Sequence, residues 1–325
     1  MIRGGKSVLR YIVKRLVMII PVMLGVTLII FSIMDLTPGD PAMMILGEGA
    51  TPEDCAALRV EMGLNDPFVV RYCRYIGNAL KGDFGKSYRT RIPVFQEILN
   101  RLPYTLCLAF ISIFIAVSLG LPIGVLSAVK QYTIIDNAAV GTALLMTSMP
   151  SFWLGMMLIL TFSIRFKIFP PLGVDSWKCF ILPAISTSAT SMAALLRMTR
   201  SAMLEVIRQD YIRTARAKGA SECRVIFRHA LRNALLPVVT VVGMYFGVGL
   251  GGAIVIEQVF AIPGLGQLMV NAIRDKDVPM LVAAVLFAAI IASLINLVVD
   301  IMYAYIDPRL KSKYVVVKIR RRSAS

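Results

Sequence analysis

The residues of this chain whose types and spacing could do chemistry are three glycine motifs and a lone histidine. Gly5-Lys6-Ser7 and Gly85-Lys86-Ser87 have the ending of a phosphate-binding loop, where backbone amides cradle a phosphate, the lysine reaches it and the hydroxyl holds magnesium. That loop needs an earlier glycine. Leu80 stands at that position in one case, and in the other it would fall before Met1. Gly247-x-Gly249-x-x-Gly252 has the spacing of a dinucleotide fingerprint but lies inside an apolar run of helix length. His229 has no second histidine for a zinc-binding HExxH pair, and it is the only base that a Ser-His-Asp triad could use. These motifs give no catalytic residue, no metal ligand set and no cofactor site. If ATP and magnesium drive the protein, they bind to other polypeptides, and the chain is not expected to be an enzyme.

The polar residues concentrate between two apolar runs. From position 197 to position 232 there are nine cations against three acids. Such a segment cannot sit in hydrocarbon, and its sign argues that it faces the cytoplasm. Good helix formers fill 204–217, and Gly219 is placed to end that helix in the left-handed conformation. Ser221 can cap a second, short helix with Glu222 at its positive end. Cys223, Phe227 and Leu231, with Ile226 and Ala230, give that helix an apolar stripe among arginines. A short helix of this kind suits insertion into a groove on a partner protein. The alternative is a basic helix lying on the membrane surface.

Positioning this island requires a bilayer. A chain of 325 residues with 57% hydrophobic content and mean hydropathy +0.74 is too apolar for a soluble globule. The net charge of +16 would suit nucleic acid, but the cations stand at span ends without aromatic platforms, so no nucleic-acid partner is expected. Arg3, Lys6, Arg10, Lys14 and Arg15 precede the apolar run 16–34, which reads as an uncleaved first span. Residues 35–102 read as a small external domain. In it Thr51 and Pro52 start a helix that Gly63 stops, and Asp66-Pro67 starts another that ends near Gly82. Further spans are expected at 104–128, opened by Pro103, at about 137–164, from 182 into the island, at 235–256 and at 281–305. The N-terminal segment, the island and the tail together hold 21 of the 35 cations. Six spans with both termini cytoplasmic is the parity that agrees with that asymmetry.

Within the spans, Gly243, Gly247 and Gly251 form a small-residue ridge suited to close helix packing, as do Gly120 and Gly124. Glu257, Arg165 and Lys167 fall at span ends, where snorkelling accounts for them. Asp300, one turn after Asn296, reads as a gating or interface contact or as one half of a satisfied polar pair. The segment 257–280, with Pro263-Gly264-Leu265-Gly266 at its turn, suggests a re-entrant or surface-lying lid. Among five cysteines only Cys55 and Cys73 share a soluble segment and could pair, and no metal-binding Cys-x-x-Cys exists.

The stretch DYIRTARAKGASECRVIFRHALRNALLP over 210–237 resembles the cytoplasmic EAA loop of ABC-importer permease subunits, in their dipeptide/oligopeptide/nickel branch. Ala215, Gly219 and Leu231 fit the general EAA pattern. Arg213, Thr214, His229 and Arg232 depart from it as that branch does, and the proline comes late, at Pro237. LTPGDP at 36–41, GDFGKSYRTRIPV at 82–94 and EQVFAIPGLGQLMVNAIRDKDVPM at 257–280 extend the resemblance over nearly the whole chain. It implies an all-α polytopic protein with the MetI-like fold of type I ABC importers. The parts would be a first span within 1–34, an external domain over 35–102, a five-helix core over 103–306 with the coupling loop at 204–232, and a basic cytoplasmic tail over 307–325. Residues that would couple to an ATPase are Arg213, Ala215, Arg216, Gly219, Ala220, Ser221, Glu222, Arg224, Val225, Phe227 and Arg228. Pro263, Gly264, Leu265 and Gly266 would belong to the outer gate.

The implied partners are a second homologous permease, two ATP-binding subunits and an external substrate-binding protein, in a prokaryotic cytoplasmic membrane. The implied substrates are di- and oligopeptides, with nickel or a nickel chelate as the alternative. A self-sufficient secondary transporter is a third reading, against which stands the scarcity of charge near the membrane midplane.

Overall fold

A computed structural model describes residues 3–47 and 49–306. The basic tail, 307–325, lies outside the described residues, as does the side chain of Asp300. The described chain is helical almost throughout: α1 (Arg3–Leu36), α2 (Pro41–Leu46), α3 (Pro52–Glu61), α4 (Phe68–Ala79), α5 (Val94–Val129), α6 (Ile134–Ser148), α7 (Ser151–Leu158), α8 (Ile181–Ile207), α9 (Asp210–Ala217), α10 (Glu222–Arg224), α11 (Leu231–Val259), α12 (Leu265–Arg274) and α13 (Val278–Ile306). π-helical turns extend α7 over Ile159–Arg165 and join α10 to α11 over Val225–Ala230.

Five of these helices are long and apolar enough to cross a membrane. A sixth crossing is made by α6 and α7 together, bent by 101° at their junction. The sequence suggested one straight span there. Pro150 prevents it, because its ring pushes the preceding residue out of helical space, and Met149 is extended at φ −91°, ψ 125°. The pair still crosses once. Asp136 at its start meets Arg200 near the end of α8, whereas Gly173, just beyond it, donates to Phe260 O at the far end of α11.

α8 is the centre of the bundle. Several of its buried positions are small (Ala184, Ser186, Ser188, Ala189, Ser191, Ala193), which lets neighbouring backbones approach closely. α5 does so through Gly120 and Gly124: a Cβ on either would stand 2.7 Å from a carbonyl oxygen of α8, that of Met192 or Leu196. Gly243 approaches α13 in the same way, since a Cβ there would collide with Val299, while Gly247 faces Asn296. The third glycine of that ridge, Gly251, lies outside the residues whose packing is described. On the outside of the bundle, large apolar residues such as Ile20, Ile29, Phe110 and Phe114 are exposed, as a hydrocarbon solvent permits and water does not.

The expected start of the second span at Pro103 is too late. Helix α5 begins at Val94 and runs through Pro103, because Val94 and Ile98 are buried against Leu268, Met269 and Leu281. That packing outweighs the hydrogen bond lost at the proline. Before α5, the capping signals act as the sequence indicates. Thr51 and Asp54 form a reciprocal capping box on α3, and Gly63 (φ +63°) ends it. Helix α4 then lies back along α1. Phe31 packs edge-on against Phe68 and Tyr72, and the Tyr72 hydroxyl donates to Leu24 O at 2.9 Å. Leu24 lies well inside the apolar stretch of α1, so part of the 35–102 segment packs on the span itself. Cys55 and Cys73 are free thiols.

Candidate functional site

Two polar constructions stand at opposite ends of the bundle. The first is the basic island. The helix expected over 204–217 is broken: α8 stops at Ile207, Gln209 is extended (ψ 149°), and α9 starts afresh at Asp210. Burial of both Met203 and Ile212 in one cluster with Val125 and Ala202 requires the chain to turn there. At the other end of α9 the turn closes as a Schellman motif. Ala220 N donates to Ala215 O at 3.2 Å and Gly219 N to Arg216 O at 2.9 Å, with Gly219 at φ +78°. Ser221 occupies the cap position of α10, but its side chain makes no capping bond. A different device clasps the turn: Arg216 donates through Nε and Nη2 to the two carboxylate oxygens of Glu222, at 2.7 and 3.1 Å.

The inward and outward faces of this turn differ from the expected stripe. Val225 and Ala230 are buried, whereas Cys223 and Phe227 face outward, Phe227 being 60% exposed. The π turn over Val225–Ala230 takes more residues per turn than an α-helix, so the four-residue spacing no longer lines up one face. Of the eleven residues expected to meet a partner, Val225 therefore holds the turn against the bundle. Arg213, Arg216, Gly219, Ser221, Glu222, Arg224, Phe227 and Arg228 lie on the exposed side, with Ala215 and Ala220 half-buried between.

Under the island sits an ion pair that no local signal in the sequence locates. Asp136 is 2% exposed and accepts Nε (2.6 Å) and Nη2 (2.8 Å) of Arg200, the Ser127 hydroxyl and Tyr132 N. It ties α5, α6 and α8 together where the island begins.

The second construction is at the far end, around Glu257. Snorkelling does not describe this residue: it is fully buried. Its carboxylate accepts from the Thr105 hydroxyl at 2.6 Å and from Gln267 N at 3.0 Å, while Thr105 Oγ1 accepts from Leu265 N. Gly264 and Gly266 make room for it, since a Cβ on Gly264 would collide with the Glu257 carboxylate. The Pro263–Gly266 turn thus folds α12 inward onto α11 and α5, with Leu265, Leu268 and Met269 buried, and does not lie on a surface.

The next turn, at 275–277, is bound to the segment before α5. Asp277 accepts from the Ser87 hydroxyl, Tyr88 N and Met280 N, and Arg89 pairs with Asp275. Burial holds the Asp277 carboxyl above the usual carboxylate range and pushes the Tyr88 hydroxyl up to about 12. The segments 82–93 and 257–280, far apart in sequence, form one structure. Among the described residues no three His, Cys, Asp or Glu side chains gather as metal ligands.

Comparison with known proteins identifies the chain. Residues 120–312 match the family described as binding-protein-dependent transport system inner membrane component, and residues 8–109 match the N-terminal region of the same membrane components. The chain belongs to this family of ABC-importer permeases. The permease is 41% identical to the dipeptide transport system permease protein DppB of Escherichia coli K12, covering 94% of this chain and 99% of that one. It is 41% identical to the oligopeptide transport system permease protein AppB of Bacillus subtilis (93% and 99% covered) and 43% to the glutathione transport system permease protein GsiC of Salmonella paratyphi A (94% and 100%). Among solved structures it resembles the inward-facing MetNI methionine ABC transporter, with TM-score 0.56 and 21% identity over 66% of this chain and 97% of that one. The fold is therefore the MetI-like permease fold, and the protein is a multi-pass inner-membrane permease, not an enzyme in itself.

Proposed function

We propose that this permease translocates di- and oligopeptides delivered by an external binding protein, driven by ATPase subunits that grip the turn over 210–232. The pathway would lie between this chain and a second, homologous permease. The three relatives carry peptide-transport names, which supports the substrate class. The observation that carries the coupling is the clasped turn itself: an exposed aromatic, Phe227, between Arg224 and Arg228 in a turn held by the Arg216–Glu222 fork. A large apolar side chain of this kind exposed among cations suits an anchor in a partner's pocket. The cation distribution supports a cytoplasmic position for this turn and both termini, with the segments 37–93 and 257–280 at the outer mouth. ATP binding on the partners would then favour one of two orientations of the pathway.

The test is reconstitution with the ATPases and binding protein. Phe227→Ala should weaken ATPase association by about thirtyfold, the effect of losing an anchor worth about 2 kcal/mol. Gly219→Pro, incompatible with φ +78°, or a bulky acid at Ala215 should leave the chain inserted and uncouple hydrolysis from uptake. Normal coupled uptake by these variants refutes the assignment, and competition between peptides and Ni²⁺ decides the substrate.

A further inference from the structure

A cavity of about 550 Å³ at the outer end is lined by paired charges, but a smaller one on the side of the bundle, where Thr190 is exposed and a second permease could face it, has the more specific chemistry. It measures about 200 Å³ and opens between α5, α7, α8 and α11. Six of its lining residues bear hydroxyls: Ser112, Ser151, Thr187, Thr190, Ser191 and Tyr245. Among the described residues no charged side chain lines it, and no histidine, cysteine or methionine. Ser112 and Tyr245 stand near the middle of α5 and α11, at the depth where a transported molecule has to pass hydrocarbon.

The hydroxyls divide into two sets. Ser112 donates to Leu108 O at 2.7 Å, Thr187 to Pro183 O at 2.9 Å and Ser191 to Ser188 O at 2.9 Å. Their protons are committed to helix carbonyls, so they offer only lone pairs to the cavity. The hydroxyls of Ser151, Thr190 and Tyr245 have no hydrogen-bond partner among the described residues and remain available as donors. Fixed acceptors beside free donors match a group that carries one N–H and one C=O, which is the peptide unit. The bend at Pro150 is what brings Ser151, at the start of α7, to this place.

We infer that this cavity is a passing site for the uncharged backbone of a peptide: Ser151, Thr190 and Tyr245 donate to its carbonyls, and Ser112, Thr187 and Ser191 accept from its amides. The inference rests on the proposed peptide substrate and adds the residues that contact it. Neutral hydrogen bonds read the backbone without regard to side chains, and none is strong enough to trap the cargo. A metal ion finds no ligand here beyond neutral hydroxyls, which hold divalent transition metals poorly.

The experiment uses the whole complex of permeases, ATPases and binding protein in proteoliposomes. It compares uptake of a peptide with uptake of the same peptide N-methylated at one internal amide. Thr190→Val and Tyr245→Phe keep shape and lose a hydroxyl. Each should lower peptide uptake about fivefold, the effect of one neutral hydrogen bond, with ATP hydrolysis retained as the sign of an assembled complex. Thr190→Ser should restore uptake. The N-methylated peptide should be taken up several-fold more slowly by the unaltered complex while still bound by the binding protein. Unchanged uptake by Thr190→Val and Tyr245→Phe overturns the inference and leaves the peptide importer standing. A Thr190→Ser variant as poor as Thr190→Val overturns it equally. Failure of the unaltered complex to take up any peptide overturns the parent reading and this one with it.

Discussion

The closeness of α5 to α8 makes a prediction in which one substitution has opposite signs at two places. In a helix interior, alanine is more stable than glycine by about 1 kcal/mol. At Gly141 in α6 nothing lies within 4 Å of where a Cβ would stand, so Gly141→Ala should collect that gain. At Gly124 in α5 the added Cβ would meet Leu196 O at 2.7 Å, Thr199 Cβ at 2.7 Å and Thr199 Cγ2 at 3.2 Å. None of these is the far end of a flexible chain, and relief requires α5 to retreat by about 0.8 Å to reach ordinary contact near 3.5 Å. Overpacking of this kind costs about 3 kcal/mol at the upper end of its usual range. Set against the helical gain, Gly124→Ala should destabilise by about 2 kcal/mol. Thermal unfolding of the purified chain in detergent would show this as a fall of about 4 °C, against a rise of about 2 °C for Gly141→Ala. Because one retreat of α5 would also relieve Gly120, where Met192 O stands at 2.7 Å, the double variant should lose less than the sum of the singles. If Gly124→Ala and Gly141→Ala move the midpoint in the same direction, the packing argument for α5 and α8 is wrong.

Two further outcomes follow from the buried carboxylates. Arg200→Met strands Asp136 without its cation and should cost about 3 kcal/mol, the lower end for a broken buried pair, since Arg200 keeps about a quarter of its exposure. Arg200→Lys should recover only part of this, because it cannot reproduce the two-pronged contact; equal stability of Lys and Met variants in a thermal scan would count against the fork. Asp277 has its proton affinity raised by burial, so the folded chain holds that proton to higher pH than the unfolded chain. Its contribution is therefore favourable at low pH and declines as pH rises from the ordinary carboxylate range through the raised value. Asp277→Asn should flatten the dependence of unfolding midpoint on pH in that window, and an unaltered slope would exclude Asp277 as its source.

What could be read from the residues was whatever is settled within a turn or two of chain. The left-handed Gly219, the Thr51 cap and the Gly63 stop depend on neighbours alone, and each is found where its sequence put it. The membrane spans were legible because burial in lipid needs only length and apolarity. The misses have a common cause. The break at Gln209, the run of α5 through Pro103 and the inward turn of Glu257 are each decided by residues distant in sequence: Met203 with Ile212, Val94 with Leu268, and Glu257 with Thr105. Pro150 was one local signal left unused. The two glycines after Glu257 were a second clue, because small residues just beyond an acid leave room for it to fold inward.

The junction between α10 and α11 decides how a pull on the turn would travel. The chain from Glu222 through the π turn to Val259 is continuously helical, with no loop to absorb a displacement. Phe227 and Glu257 stand on this one rod, some thirty residues apart, which at 1.5 Å per residue is about 45 Å. Under the proposed coupling, a partner that moves Phe227 therefore tilts a lever whose middle carries Tyr245 and whose far end carries the carboxylate that fastens the Pro263–Gly266 turn. The rod is weakest at Pro237, which lacks one backbone hydrogen bond, and along Gly243 to Gly249, where Gly243, Gly247 and Gly249 lower the helical preference of the backbone. Bending there would let the turn end move while Glu257 stays bound to Thr105, whereas a rigid tilt would break that bond. The proposed coupling thus confines the choice between a hinged and a rigid stroke to a stretch of α11 that also borders the hydroxyl cavity, so a change in that cavity and a change in the Glu257–Thr105 latch would share one mechanical cause.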